Sequence, residues 1–424
     1  MDRRNFLLGT GLLGAGLSVF GQTLLPRFAY AADLAKGDPR STKKPATAII
    51  VLYMNGGPSH LDTFDPKRDA AVSGPAKAMA TRVKGIEISE NLPGLADIAG
   101  SLTIVRGMTS KEGNHDRAQY LLHTGYSPNP TVEHPAFGAW VGKKLGAERS
   151  GLPPFVSIGG PSRGGGILGV AESPFVLLKG GEPPPDVALP PFVTSARAQR
   201  RESFLAAFED DFAKKSGDDK VRDRQAIEAR AMKLMRTPDL AAFRLDDESP
   251  ATRAAFGDTE FGKGALTAVR LVERGVRAVE VVLDGWDTHK DNFGRIKKLS
   301  ATLDPAMSAL VKELQTRGLL ETTIVLWLGD FGRTPKINGT DGRDHHPQAW
   351  SAVLAGGGLG KGIALGETDA RGEKVVRDPV TVPNLMATLA TRLGMDPAES
   401  VTAPSGRPIA MTDKGVPVAS LLAP

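Results

Sequence analysis

The chain alternates continuous apolar runs with stretches of helical period. Ala48 to Met54 (AIIVLYM) is apolar throughout and stops at Asn55-Gly56-Gly57. Such a run reads as a strand buried on both faces, as in a parallel sheet, whose C-terminal end opens into a loop. Residues 102–105, 155–158, 278–283, 323–328 and 350–354 repeat the pattern. Between them, residues 116–123, 135–146, 260–275, 303–317 and 382–393 carry helical spacing. The alternation predicts an α/β fold, with a mostly parallel central sheet and helices on both faces. Ligands of such sheets bind beyond the carboxyl ends of the strands.

The pattern changes between residues 160 and 254. Residues 160–195 are dense in Gly and Pro, and 198–245 are charged with helical periodicity. Phe204, Leu205, Phe208 and Phe212 fall at helical spacing there and are expected to be helix core. Residues 160–254 therefore read as a cap or insertion, dividing one α/β domain into 47–159 and 255–424. At the N-terminus, Arg3-Arg4 precede Phe6-Leu7, a Gly/Leu-rich apolar run and Ala29-Tyr30-Ala31. This is expected to be a twin-arginine signal peptide over 1–31, followed by a polar lead-in over 32–46. It implies the twin-arginine export machinery as a partner and a periplasmic or secreted location. No later stretch approaches the ~18 apolar residues of a spanning helix, so no stable transmembrane segment is expected.

Composition narrows the chemistry. With no Cys in the chain, thiolate ligands and disulfides are excluded. The formal charge of +5 falls to +3 without the first 31 residues, which hold three Arg and one Asp. A surplus that small argues against a nucleic-acid role. Hydrophobic residues make up 41%, enough for a sizeable core.

Histidine placement carries most of the functional signal. Six of the seven His lie in short motifs rich in Gly, Asp and Asn: His60 in GGPSHLDTFD, His115 in GNHDRA with His123 close behind, His289 in DGWDTH, and His345 and His346 in GRDHHP. His134 stands apart. Imidazole and carboxylate together are ligands for divalent ions, with Zn, Mn, Fe and Ca all open. Asp287 and His289, two apart on a loop, are the strongest pair, with Asp287 preferred over Asp284. Asp330 ends a very apolar strand, where a lone carboxylate is costly unless paired or metal-bound. His345 is the preferred ligand of its motif, with His346 next. His60 and Asp62 repeat the two-apart spacing, as further ligands or as acid and base. His115 is a candidate ligand or catalytic base, and Asn114 a helix cap. Arg333, Arg343 and Arg117 are candidates to hold an anionic substrate. Each motif also has a plain structural reading: an Asx-turn at Asp287, an Asp330–Arg333 pair, an Arg343–Asp344 pair. Ser59 reads as a turn residue. The run from Ala355 to Gly362 is not a phosphate loop, since Gly is missing at 355 and Ser or Thr at 362.

Taken in order, GGPSHLDTFDPK, NHDRAQYLLHTG, GWDTHKDNF, GDFGRTPKIN, GRDHHPQAWSAVLAGGG and GETD resemble the exported bacterial family known as domain of unknown function 1501. The resemblance spans roughly residues 47–395, and the family is grouped with the alkaline phosphatase and sulfatase superfamily. It implies an alkaline phosphatase-like fold, a metal site at the strand ends, and hydrolysis of phosphate or sulfate esters by metal-activated water. Small-molecule or glycan anionic esters would be the substrates. The superfamily's strand-end Asp is usually followed by His or Asn, but here Phe331 follows Asp330. Its hydroxyl nucleophile has no clear counterpart near His115. A non-catalytic, metal-containing binder of sulfated or phosphorylated glycans is the alternative, and a phosphomutase- or phosphonate-type activity is a further option.

Overall fold

Ala48–Met54 forms β1 at the centre of the sheet, and its residues alternate between two cores. Ile50, Leu52 and Met54 pack into one hydrophobic cluster, and Ile49 and Tyr53 into the other. A strand apolar on both faces needs a helical layer on each. This computed structural model describes residues 44–422 apart from 147–149, 186 and 217–218. The expected signal peptide and nearly all of the lead-in lie outside the described residues.

In chain order the remaining strands of the main sheet are β2 (Leu102–Thr109), β3 (Phe155–Ile158), β4 (Phe175–Leu177), β5 (Ala278–Leu283), β6 (Thr323–Gly329), β7 (Trp350–Gly356), β8 (Ile363–Leu365) and β9 (Val380–Thr381). They lie side by side as β8-β2-β7-β6-β1-β5-β3-β4, with β9 beside β2. β7 runs antiparallel to β2 and β6, and every other pair is parallel. The sheet is thus mostly parallel, as expected, with one reversed strand.

Helices α1 (His115–Thr124), α2 (Phe137–Leu145) and α7 (Val382–Arg392) supply the layer on the Tyr53 face. Helices α5 (Glu260–Glu273) and α6 (Asn292–Thr316) supply the other. Side-chain caps define their starts: Asn114 for α1, Thr259 for α5, Asp291 for α6 and Thr381 for α7. Gly125, with φ of 75°, closes α1 in the left-handed conformation.

The stretch 160–254 holds α3 (Ser195–Ser216) and α4 (Asp219–Arg236), and also contributes β4 to the sheet edge. One expectation fails there. Phe204, Phe208 and Phe212 are 68%, 64% and 60% exposed, and Leu205 is 43% exposed, so they are not helix core. Spacing shows that side chains share a face; it does not supply a layer to cover that face.

Candidate metal centre

Topology gathers five segments at one edge of the sheet. β1, β5 and β6 are parallel neighbours, so the loops after Met54, Leu283 and Gly329 emerge together. β2 points the same way and leads to α1, which starts at His115. β7 is reversed, so the residues just before it, His345 and His346, lie at that same edge. His345 pairs there with Arg333 in a two-residue ladder.

His115, Asp287 and His345 offer donor atoms within 4.8 Å of one another. The Nε2 atoms of His289, His115 and His345 lie 3.2, 3.4 and 3.5 Å from the same Asp287 Oδ1. His289 Nε2 and His345 Nε2 are 2.8 Å apart. Donors bound to one ion at about 2.0–2.2 Å sit roughly 3 Å from each other, so these spacings suit a shared cation.

The protons follow from the partners of the other ring nitrogens. His115 Nδ1 meets Asp330 Oδ2 at 2.6 Å, His289 Nδ1 meets Asp344 Oδ1 at 2.8 Å, and His345 Nδ1 meets the Gly113 carbonyl at 2.8 Å. Each partner only accepts, so each Nδ1 donates. Each Nε2 then carries a lone pair directed at the region around Asp287. Two such lone pairs 2.8 Å apart repel unless a cation or a proton lies between them. One proton would satisfy His289 and His345, yet buried His115 Nε2 would still have no hydrogen-bond partner. An ion held by His115, His345 and Asp287 would satisfy that nitrogen, with His289 Nε2 beside His345, and imidazoles held through Nδ1 by carboxylate or carbonyl oxygen are the usual outer support of such sites.

The surroundings hold this arrangement in place. Arg333 is fully buried and binds Asp287 Oδ1 at 2.7 Å, the carbonyls of Gly56, Gly57 at 2.9 Å and Arg343 at 3.3 Å. Partial burial pushes the Asp287 carboxyl up, but Arg333, His115 and His289 outweigh it and hold the pKa at about 2. His115 is raised by its bond to Asp330 against the opposing effect of burial. His345 is lowered, chiefly by burial. Gly56, with φ of 110°, lies so close to the Trp286–Asp287 backbone that a Cβ would clash with it. A Cβ on Gly342 would run into the His289 carbonyl.

The structure divides the residues named from sequence into three groups. Asp287, His289 and His345 converge, and His115 joins them. Asp330 sits behind His115, buried, accepting from His115, from the Gly56 N–H at 3.1 Å and from the Tyr53 hydroxyl. His60, Asp62, Arg343 and His346 lie in a neighbouring network instead. Arg343 is fully buried; its Nε binds Asp62 at 2.8 Å, and its other nitrogens bind the carbonyls of Val72, Thr334 and Pro335. Asp62 also accepts from Ser59 at 2.5 Å and Asn292 at 3.0 Å. His60 binds the Gly372 carbonyl and His346 the Glu373 carbonyl, each at 2.8 Å, fastening the 367–377 hairpin. Burial lowers His60 to about 4. Arg117 is paired with Glu112 at 2.6 Å.

Sequence reasoning missed Tyr53, Asp344 as the partner of His289, and Glu280. Glu280 is buried in mid-strand and pairs with the partly buried His123 at 3.1 Å. Burial pulls His123 down, but Glu280 outweighs this and its pKa is raised. One signal was available: a Glu inside an otherwise apolar strand, AVEVVL, needs a buried partner.

A family model described as a protein of unknown function (DUF1501) matches residues 46–422. No curated protein matches the chain. Among solved structures, the lipoteichoic acid synthase LtaP from Listeria monocytogenes is 9% identical, with 93% of this chain and 81% of that one covered and a TM-score of 0.39. PsFucS1 sulfatase from Pseudoalteromonas sp. is 11% identical, with 87% and 72% covered and a TM-score of 0.39. A protein in the alkaline phosphatase superfamily from Vibrio parahaemolyticus is 11% identical, with 87% and 75% covered and a TM-score of 0.36. Scores of that size carry no weight for the chemistry of this chain, which rests on its own residues.

Proposed function

The chain belongs to the DUF1501 family, and for it we propose a metal-dependent hydrolase of phosphate or sulfate esters, exported by the twin-arginine route to the periplasm or beyond. The observation that carries the metal is the set of three imidazole Nε2 atoms turned on one Asp287 oxygen, with His115 Nε2 buried and unpartnered. His115, His289, His345 and Asp287 would hold the ion. Three nitrogen donors favour Zn, Mn or Fe over the oxygen-seeking Ca. When bound, the ion would supply Lewis acidity and ready deprotonation of water at neutral pH.

The chain's own residues do the rest. Asp330, Asp344 and the Gly113 carbonyl fix the Nδ1 protons, so the ring nitrogens facing the centre stay free to coordinate. Arg333 orients Asp287 and keeps it ionised. Asp287 is half-exposed, so solvent and substrate reach the centre from one side. Arg333 and Arg343, fully buried and bonded, support the loops rather than clamp an anion.

That last point favours a second reading, a metal-containing binding protein without turnover, since neither buried arginine can meet a substrate anion. Metal analysis of protein purified through its export route, with turnover of p-nitrophenyl phosphate and p-nitrophenyl sulfate, separates the two. The hydrolase reading expects bound metal and ester turnover, both lost in His345→Ala. Bound metal with no turnover supports the binder. Protein that takes up no Zn, Mn or Fe overturns both.

A further inference from the structure

We propose that the edge of the centre formed by Asn55, Gln119 and Asp284 is a subsite for a polyhydroxylated, saccharide-type group. The proposal takes its location from the metal-centre reading, but its chemistry comes from different side chains. Gln119 Nε2 donates to Asn55 Oδ1 at 2.7 Å, and Asn55 Nδ2 donates to Asp284 Oδ1 at 2.9 Å. The chain of groups borders the centre closely. Gln119 is one helical turn after His115 on α1, so the two share a face. Asp284 is three residues before Asp287. Asn55 directly precedes Gly56, whose N–H binds Asp330.

The three side chains stand on fixed backbone. The Asn55 N–H donates to the Leu283 carbonyl at 3.0 Å, and the Trp286 N–H donates to the Asn55 carbonyl at 3.1 Å. Their mutual bonds use only part of their capacity. A primary amide has two N–H donors and a carbonyl with two lone pairs. Each amide therefore retains one N–H, and Gln119 Oε1 and Asp284 Oδ2 have no partner among the described residues. Asn55 and Gln119 are half-buried and Asp284 is exposed, so these atoms can be reached from outside.

Donors and acceptors thus alternate along a rigid edge, which suits hydroxyls, since each both donates and accepts. The Asp284 carboxylate disfavours an anionic oxygen at its end. Neither nearby arginine pairs with Asp284: Arg295 donates to the Asp287 and Gly285 carbonyls at 2.6 Å, and Arg163 donates weakly to the Asp116 carbonyl and lies over the Tyr120 ring. An ester's anionic group belongs at the centre, and the hydroxyl-bearing remainder of the molecule along this edge.

The test uses the full-length metal-loaded protein and two measurements. Saturation-transfer NMR with maltose, lactose and cellobiose reads the subsite without any turnover. Binding of at least one is expected, weakened about 5–150-fold in the double variant Asn55→Leu, Gln119→Met, the equivalent of two lost hydrogen bonds. Metal content and far-UV circular dichroism establish that the variant is folded. Turnover of glucose phosphate and galactose sulfate against the p-nitrophenyl esters reads the same edge in catalysis, with the sugar esters expected to have the higher kcat/KM. Aryl turnover with no sugar binding, or binding unchanged in the folded variant, overturns the subsite and leaves the hydrolase standing. Sugar binding with no turnover of any ester supports the subsite and overturns the hydrolase.

Discussion

Asp330→Asn keeps the shape of a buried side chain and removes its charge. Asp330 accepts from three donors: His115 Nδ1 at 2.6 Å, the Gly56 N–H at 3.1 Å and the Tyr53 hydroxyl. An asparagine offers one accepting oxygen and an NH2, so at least one of the three now faces an N–H. If His115 yields, its proton moves to Nε2 and the lone pair directed at Asp287 is lost. Removing an outer partner of a ligating imidazole typically lowers metal affinity 10–100-fold, or about 1.4–2.7 kcal/mol. A zinc titration against a chelating indicator, at neutral pH and fixed ionic strength, measures this directly. An unchanged dissociation constant would refute the role assigned to the His115–Asp330 bond. A loss far beyond about 100-fold, with the bound stoichiometry falling, would make Asp330 itself a ligand and shift the ion from the position argued above.

Other consequences follow from the neighbouring network. Arg343→Met strands buried Asp62 and should cost about 3–5 kcal/mol in urea unfolding, while the folded fraction still binds metal; a cost near zero would contradict the buried pairing. His60 has a folded pKa of about 4 against about 6.5 unfolded, so its contribution is complete above pH ~6.5 and is lost as pH falls toward 4. His60→Gln should remove on the order of 3 kcal/mol of that acid sensitivity, seen as a smaller stability difference between neutral and mildly acidic pH; parallel pH curves for wild type and variant would refute it. Gly342→Ala pushes into the His289 carbonyl and should lower metal affinity together with stability, read by the same zinc titration and by Tm; unchanged values for both would contradict the close approach.

Much of the fold was legible because the central strands are largely apolar runs that end in glycine or a polar motif, interrupted in β5 only by Glu280. β1, β5 and β6 all read correctly for that reason. Strand direction was not legible: β7 is as apolar as the parallel strands of the sheet, and only its hydrogen-bonding partners reveal that it is reversed. That reversal is what brings His345 to the centre. The motifs pointed to one edge of the sheet, and the structure gathers most of them there, since His and Asp in loops after buried strands have few structural uses. They could not divide ligand from support. Asp287 and Asp330 both follow apolar strands, and only side-chain direction puts one on the three imidazoles and the other behind His115. His60 and Asp62 repeat the spacing of His289 and Asp287, yet their turn points into the Arg343 network. The Phe204–Phe212 stripe shows the same limit, because periodicity predicts a shared face and says nothing about a covering layer.

The most direct test is an anomalous difference map from crystals of protein purified through its export route, collected across the Zn, Fe and Mn absorption edges. The account predicts one peak about 2.0–2.2 Å from His115 Nε2, His289 Nε2, His345 Nε2 and an Asp287 oxygen. A peak on Asp330 or His60, or metal-soaked crystals with no peak and a proton shared between His289 and His345, would contradict it.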